Sequence, residues 1–315
     1  MPACGVTMDF LITNDVELHS IPKNTIDPSI ADDIHATGLT RLLDCYAKYD
    51  VKATFYFTGD FAELKPESVE LVRGHGHEIG CHGYTHDVNQ AFDLLTLEEQ
   101  VSHLARAKKI IEEIAGPIRA FKAPALRINE YTIQALETTG FSIDSSVASQ
   151  RFDGPMSFGS KKKLNWLFAP RSPYHPSRKS PFRRGDSPVL EIPVSACLFP
   201  YIGTLMRAHP PLFKLIEKIL FHESRLTGKP VLFIFHPNEC IDCQIDPAGK
   251  NRIERRSKSY LEYLFADKLR QQLKLKNLGS DAIRLHEESI KRGKQFGFDF
   301  ISVSDFEKKF RSNTP

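Results

Sequence analysis

Five side chains in this sequence have the types and placement needed to hold a cation and move protons beside it. His82 and His86 lie four residues apart in Gly76-His77-Glu78-Ile79-Gly80-Cys81-His82-Gly83-Tyr84-Thr85-His86. If the chain turns helically between them, positions i and i+4 share a face and both imidazoles can reach one ion. Imidazole is a common ligand for zinc and its neighbours, and such a site usually adds a carboxylate. Asp15 and Glu17 are the candidates, because residues two apart on an extended chain point the same way. Two carboxylates held that close repel each other unless a cation or a shared proton relieves them. His236 directly follows the apolar run Val231–Phe235, which places it at the mouth end of a strand. Cys240 and Cys243 form a CxxC with no second pair, so two free thiols on a loop are expected in preference to a zinc or redox module.

The elements that must position these groups are short and regular. Near-continuous apolar runs at 10–13, 53–57, 78–81, 119–121, 142–146, 189–192, 231–235 and 300–303 read as strands buried on both faces. Amphipathic stretches at 39–49, 66–73, 97–115, 129–139, 212–226 and 257–274 read as the helices between them. Strand-helix alternation predicts βαβ units around a parallel sheet. With some eight strands, a closed or nearly closed, TIM-like (β/α) barrel is favoured over an open sheet. Functional residues of such a barrel belong at the C-terminal ends of strands. Asp15, Glu17, His82, His86 and His236 all fall at such ends, and together they fit a metal-assisted hydrolase site.

Composition sets the bounds. The chain has 315 residues, 41% hydrophobic and 26% charged, which suits a globular protein with a sizeable core. We read it as one domain over 1–315 with an irregular, basic insertion at about 149–188, where Lys161-Lys162-Lys163 and Arg183-Arg184 stand. The formal charge of +3 makes no case for nucleic acid. Its start lacks a basic region followed by an apolar run, no window suits a spanning helix, and six cysteines are scattered without a disulfide framework. A cytoplasmic protein is therefore expected, with contact at the inner membrane surface through 201–220 as an option.

The motifs and their order resemble the polysaccharide deacetylases that share the NodB homology domain, carbohydrate esterase family 4. The likeness runs through Asn14-Asp15-Val16-Glu17, Lys52-Ala53-Thr54-Phe55-Tyr56-Phe57-Thr58-Gly59, the His77 to His86 block, Phe121-Lys122-Ala123-Pro124, Gly140-Phe141-Ser142-Ile143-Asp144-Ser145-Ser146, Ile234-Phe235-His236-Pro237 and Phe300-Ile301-Ser302-Val303-Ser304-Asp305-Phe306. It implies a distorted (β/α) barrel with seven or eight strands that hydrolyses an N-acyl group from an amino sugar. It implies a divalent metal, zinc by expectation and cobalt, manganese or nickel otherwise, on Glu17, His82 and His86. Asp15 matches the base, His236 the acid that protonates the leaving amine, and Lys122 the position of an Arg that pairs with the base.

The departures from the family pattern are Asn14 before a lone Asp15, Lys122 for Arg, and Ala125 where many members carry Tyr. The first leaves base and ligand exchangeable between Asp15 and Glu17. Lys122 lacks the planar, bidentate grip of a guanidinium. The implied substrate is an N-acetylated amino sugar, a polysaccharide or a lipid-linked glycan. A sugar deformylase, a ureide or cyclic amide hydrolase, and a silent glycan-binding barrel are the other readings on this fold.

Overall fold

The computed structural model describes residues 8–151, 161–242 and 270–313. Its centre is a parallel sheet of β1 (Met8–Val16), β2 (Ala53–Phe57), β3 (Glu78–Cys81), β4 (Ala120–Phe121), β5 (Ile143–Asp144), β6 (Leu190–Glu191), β7 (Val231–Phe235) and β8 (Phe298–Phe300). The order along the sheet is β6-β5-β4-β3-β2-β1-β7, and β8 pairs with the first residues of β1. Every residue of β2 and β7 is buried, as expected for parallel strands with a core on one side and helices on the other. The edges β6 and β7 are drawn together at Ser195, whose N–H donates to Leu232 O (3.2 Å) and whose Oγ accepts from Leu232 N (3.0 Å). The sheet is thus curled into a distorted (β/α) barrel.

The surrounding helices are α1 (Thr40–Lys48), α2 (Gly59–Leu64), α3 (Pro66–Gly74), α4 (Leu97–Ala115), α5 (Thr132–Thr138), α6 (Gly203–Ala208), α7 (Pro210–Thr227), α8 (Ser280–Phe296) and α9 (Val303–Asn313). Local chemistry fixes several ends. Thr96 and Glu99 close a capping box on α4. Ser302 caps α9, where its Oγ accepts from Asp305 N (3.2 Å) and donates to Asp305 Oδ2 (2.8 Å). That cap is why the last strand ends at Phe300 and a helix begins at Val303, where the apolar pattern alone predicts strand to 303. The helix expected from 129 begins at Thr132, because the Asn129 side chain instead accepts the Tyr131 N–H in a turn.

Residues 152–160 of the expected insertion lie outside the described residues, and 161–188 is more ordered than its composition predicts. Lys161–Phe168 forms a 3-10 helix with Trp166 buried, and Pro176–Ser177 pairs with Ser180–Arg184 as a hairpin. Of the helix expected at 257–274, residues 257–269 lie outside the described residues, and Arg270–Lys274 is helical. No helix among the described residues is long and apolar enough to cross a membrane. Within 201–220, Phe213, Ile216 and Leu220 turn into the core.

Candidate active site

Because the strands are parallel, their C-terminal ends share one rim, and the chemistry collects there. Along β1, Thr13 and Asp15 face the barrel interior, and Glu17 follows just past the strand end. Asn14 points the other way, where its Oδ1 accepts the Tyr46 hydroxyl of α1 (2.8 Å). The residue beside Asp15 therefore serves the helix layer and not the rim, so an acid at position 14 would not have joined the site.

Glu17 is buried, and its Oε2 has no hydrogen-bond partner. It lies 3.2 Å from His86 Nε2 and 3.6 Å from His82 Nε2. The ligand atoms of Glu17, His82 and His86 all lie within 4.8 Å of one another. His82 Nδ1 sits 2.7 Å from the Lys122 carbonyl, which can only accept, so the proton is on Nδ1 and the Nε2 lone pair faces the carboxylate. Burial pushes the His86 pKa down despite the pull of Glu17, which keeps that imidazole neutral. Burial works against ionising Glu17, yet His86, His82 and His236 together hold its carboxyl well below the usual range. An ionised carboxylate and two imidazoles with free lone pairs fit a divalent cation.

The two histidines converge by a route the spacing did not predict. No helical turn joins them. The loop bends at Gly83 (φ +73°) and is held by backbone N–H groups of Gly59 and Asp60, which donate to Gly83 O (2.9 Å) and Tyr84 O (2.8 Å). A side chain at Gly83 would be strained at that φ and would crowd Phe92 and His103.

Asp15 is the hub of the other half. Lys122 Nζ, fully buried, donates to Asp15 Oδ1 (2.8 Å) and Thr13 Oγ1 (2.6 Å) and lies over the Tyr56 ring. Asp15 Oδ2 is 3.9 Å from His82 Nε2 and 3.8 Å from His236 Nε2. Burial would raise the Asp15 pKa, but Lys122, His82 and His236 outweigh it and keep the carboxyl ionised.

His236 follows β7 and its Nδ1 contacts Glu239 Oε1 (2.8 Å). Burial opposes charge on this ring, but Glu239, Asp15 and Glu17 overcome it and raise the pKa above the ordinary histidine value. Glu239 is itself fixed by buried Arg207 of α6, whose Nε donates to its other oxygen while Nη1 binds Lys274 O and Lys276 O. Gly203 makes the approach possible, since a Cβ there would lie 2.7 Å from both Glu239 oxygens. Glu239 and Arg207 were not singled out by sequence reasoning. The available signal was the i+3 spacing in His236-Pro237-Asn238-Glu239.

Cys240 sits in this same turn as a free, buried thiol whose pKa is pushed well up by burial. Cys243 lies outside the described residues.

Residues 29–143 match the family model for polysaccharide deacetylase. That span includes His82, His86 and Lys122; Asp15, Glu17 and His236 flank it. Among curated proteins, a Helicobacter pylori peptidoglycan deacetylase is 28% identical over 36% of this chain and 39% of its own length. A Gibberella zeae peptidoglycan deacetylase-like protein is 30% identical over 35% of this chain and 33% of its own. The matches thus span well under half of these relatives. Fold likeness reaches further. A polysaccharide deacetylase candidate from Mycobacterium smegmatis superposes with a TM-score of 0.60 at 18% identity, covering 100% of this chain and 95% of that one. The Puue allantoinase gives 0.62 at 15% identity, with 98% and 91% covered. At such identities the likeness speaks for the barrel alone. Residues 29–143, with the central strands and the histidine loop, thus follow the sequence pattern of polysaccharide deacetylases.

Proposed function

We propose that the chain is a metal-dependent hydrolase that removes an N-acyl group, acetyl by expectation, from an amino sugar within a polysaccharide or lipid-linked glycan. The observation that carries this reading is the buried Glu17 carboxylate, unpartnered at Oε2 and facing two imidazoles. Buried charges are paired or coordinate metals, and this one sits where a cation would satisfy it. Glu17, His82 and His86 would hold that cation, zinc on the strength of the donor set, with cobalt, manganese or nickel as alternatives. When bound, the ion supplies Lewis acidity toward the acyl carbonyl and lowers the pKa of a water.

The chain's own residues handle the protons. Asp15, ionised and steadied by Lys122, is placed to accept the proton of the attacking water. His236, charged and across Asp15, is placed to deliver a proton to the leaving nitrogen. Glu239 and Arg207 hold that imidazolium in place. The geometry favours Glu17 as ligand and Asp15 as base, because Glu17 meets both histidines while Asp15 is committed to Lys122.

The test is metal content by elemental analysis together with amine release from a panel of substrates, with and without chelator. The panel holds N-acetylglucosamine oligomers, peptidoglycan, a lipid-linked N-acetyl sugar, an N-formyl sugar and allantoin. Chelator-sensitive amine release from an N-acetylated glycan is the expected result. Absence of bound metal and of release from every substrate after zinc or cobalt addition would leave a silent glycan-binding barrel.

A further inference from the structure

Beneath the rim, two buried carboxyl groups have no part in the chemistry above. Asp144 on β5 and Glu191 on β6 are register partners in the parallel ladder, so their side chains stand on the same face. Both are essentially inaccessible to solvent. Each spends one oxygen on a donor: Asp144 Oδ1 accepts from Ser146 Oγ, and Glu191 Oε1 accepts from Val147 N (3.0 Å). Each is left with a second buried oxygen, Asp144 Oδ2 and Glu191 Oε2, that finds no donor among the described residues. Two carboxylates facing each other with orphaned oxygens are costly if both are ionised, and one proton between them satisfies both orphans at once.

The groups that face the pair from neighbouring elements do not supply an alternative. Lys122 above gives its ammonium to Asp15 and Thr13. Tyr174, beside β6, gives its hydroxyl to Pro181 O (2.5 Å), and the buried hydroxyls of Tyr56 on β2 and of Ser145 reach neither orphan oxygen. Burial likewise raises both carboxyl pKa values.

The pair is wired to the rim. Ser146, which donates to Asp144, also accepts the N–H of Ala123 through its Oγ (2.9 Å). Ala123 is the residue after Lys122, whose carbonyl orients His82 and whose ammonium holds Asp15. Hydrogen bonds therefore lead from Asp144 through Ser146 to the turn that carries Lys122, and Glu191 stands beside Asp144 in the ladder.

We infer that Asp144 and Glu191 share a single proton and act as a positioning pair that fixes the Lys122 turn against Asp15. The shared proton stands independently of any activity; the positioning of a catalytic base rests on the proposed deacylase reading. The pair is a positioning device because it touches no reacting atom and acts through Ser146 and Ala123.

Infrared spectroscopy at neutral pH tests the proton. The wild-type protein should show a protonated-carboxyl band that is lost in Glu191→Gln, which keeps a donor to Asp144 but carries no acid. Absence of the band in the wild type, or its persistence in Glu191→Gln, overturns the inference. The unfolding midpoint gives a second reading. The pair must take up a proton on folding, so Glu191→Gln should gain stability over the wild type from pH 5 to pH 8; an unchanged difference argues against the shared proton.

Crystal structures of Glu191→Gln and Glu191→Leu test positioning without needing turnover. The 2.8 Å Lys122–Asp15 contact should persist in the first and lengthen in the second. In kinetics, Glu191→Leu should lose kcat by about 100-fold at unchanged KM and metal content, with Glu191→Gln restoring it. Should Glu191→Leu fail to fold, Glu191→Ala replaces it. Equal contacts in the two structures would overturn the positioning role. A wild-type protein that turns over nothing would count against the enzyme reading, with the infrared and crystallographic results still deciding this one.

Discussion

His86 and His236 stand on the same rim and are comparably accessible, with side chains 20% and 26% exposed, yet they are tuned in opposite directions. His86 is pushed below the ordinary histidine range and His236 above it. Exposure therefore cannot be the cause. The difference is the second nitrogen's partner. His236 Nδ1 meets the Glu239 carboxylate, and Arg207 pins that carboxylate in turn. His86 has Glu17 for a neighbour but also two other imidazoles, His82 and His236, that disfavour a further positive charge. On the proposed reading, one residue type would thus serve as a neutral ligand on one side of the rim and as a charged acid on the other, set apart by its neighbours.

The largest expected effect falls on the ligand side. His82→Ala, His86→Ala and Glu17→Gln should each lose bound metal, with turnover falling by about a thousandfold as several kcal/mol of charge stabilisation disappears. Elemental analysis read beside amine release checks this. Asp15→Asn serves as the contrast, keeping metal while losing turnover. Metal loss in Asp15→Asn with retention in Glu17→Gln would exchange the two acids' roles.

The acid side should break differently. His236→Ala should retain metal and lower kcat by roughly 10²–10⁴-fold. Because the working form of His236 is protonated and its pKa is raised, kcat should decline as pH rises through that value. Glu239→Gln removes the main cause of the rise, so the alkaline limb of the kcat profile should move to lower pH. A limb that stays in place in Glu239→Gln would mean that Glu239 does not tune the acid.

A third histidine extends the contrast to stability. His286 of α8 is buried between Phe233, Phe235 and the Tyr46 hydroxyl, and burial pushes its pKa down to about 3. In the unfolded chain it protonates near the ordinary histidine pKa of about 6.5. As pH falls below that value the unfolded state binds the proton first, so stability is lost progressively down toward the folded value. At pH 5 this amounts to about 2 kcal/mol. Chemical denaturation of metal-free wild type and His286→Phe at pH 7.5 and pH 5 measures it, and the substitution should reduce the dependence by that share, with His19, His77 and His103 supplying the rest.

The sequence disclosed the parts of this arrangement that are local. Residues 53–57, 78–81 and 231–235 read correctly as strands because a parallel strand buried on both faces leaves an unbroken apolar run. The histidine pair was legible from its spacing, though not the bend at Gly83 that joins it, since a helical turn and a glycine-hinged loop bring i and i+4 together equally well. Helix α8 escaped notice because His286, Ser289 and Gly293 stand on its buried face, so its apolar stripe is broken. Glu239 escaped because its work depends on Arg207 arriving from another helix and on the missing side chain of Gly203. Such a contact has no signature in any short window.

The smallest predicted effect separates the chemical rim from the opposite end of the barrel. Ser302 caps α9, and next to it Val303 N donates to Thr54 Oγ1 (3.1 Å) while Ser304 N donates to Glu78 Oε2 (3.2 Å). Thr54 and Glu78 belong to the starts of β2 and β3, the face of a (β/α) barrel that serves stability instead of catalysis. Ser302→Ala removes the Oγ that accepts the Asp305 N–H, and should cost about 1 kcal/mol. It should leave metal content, kcat and the alkaline limb set by His236 untouched. If this substitution moved that limb, the two ends of the barrel would be energetically linked, and the tuning of His236 could not be assigned to Glu239 and Arg207 alone.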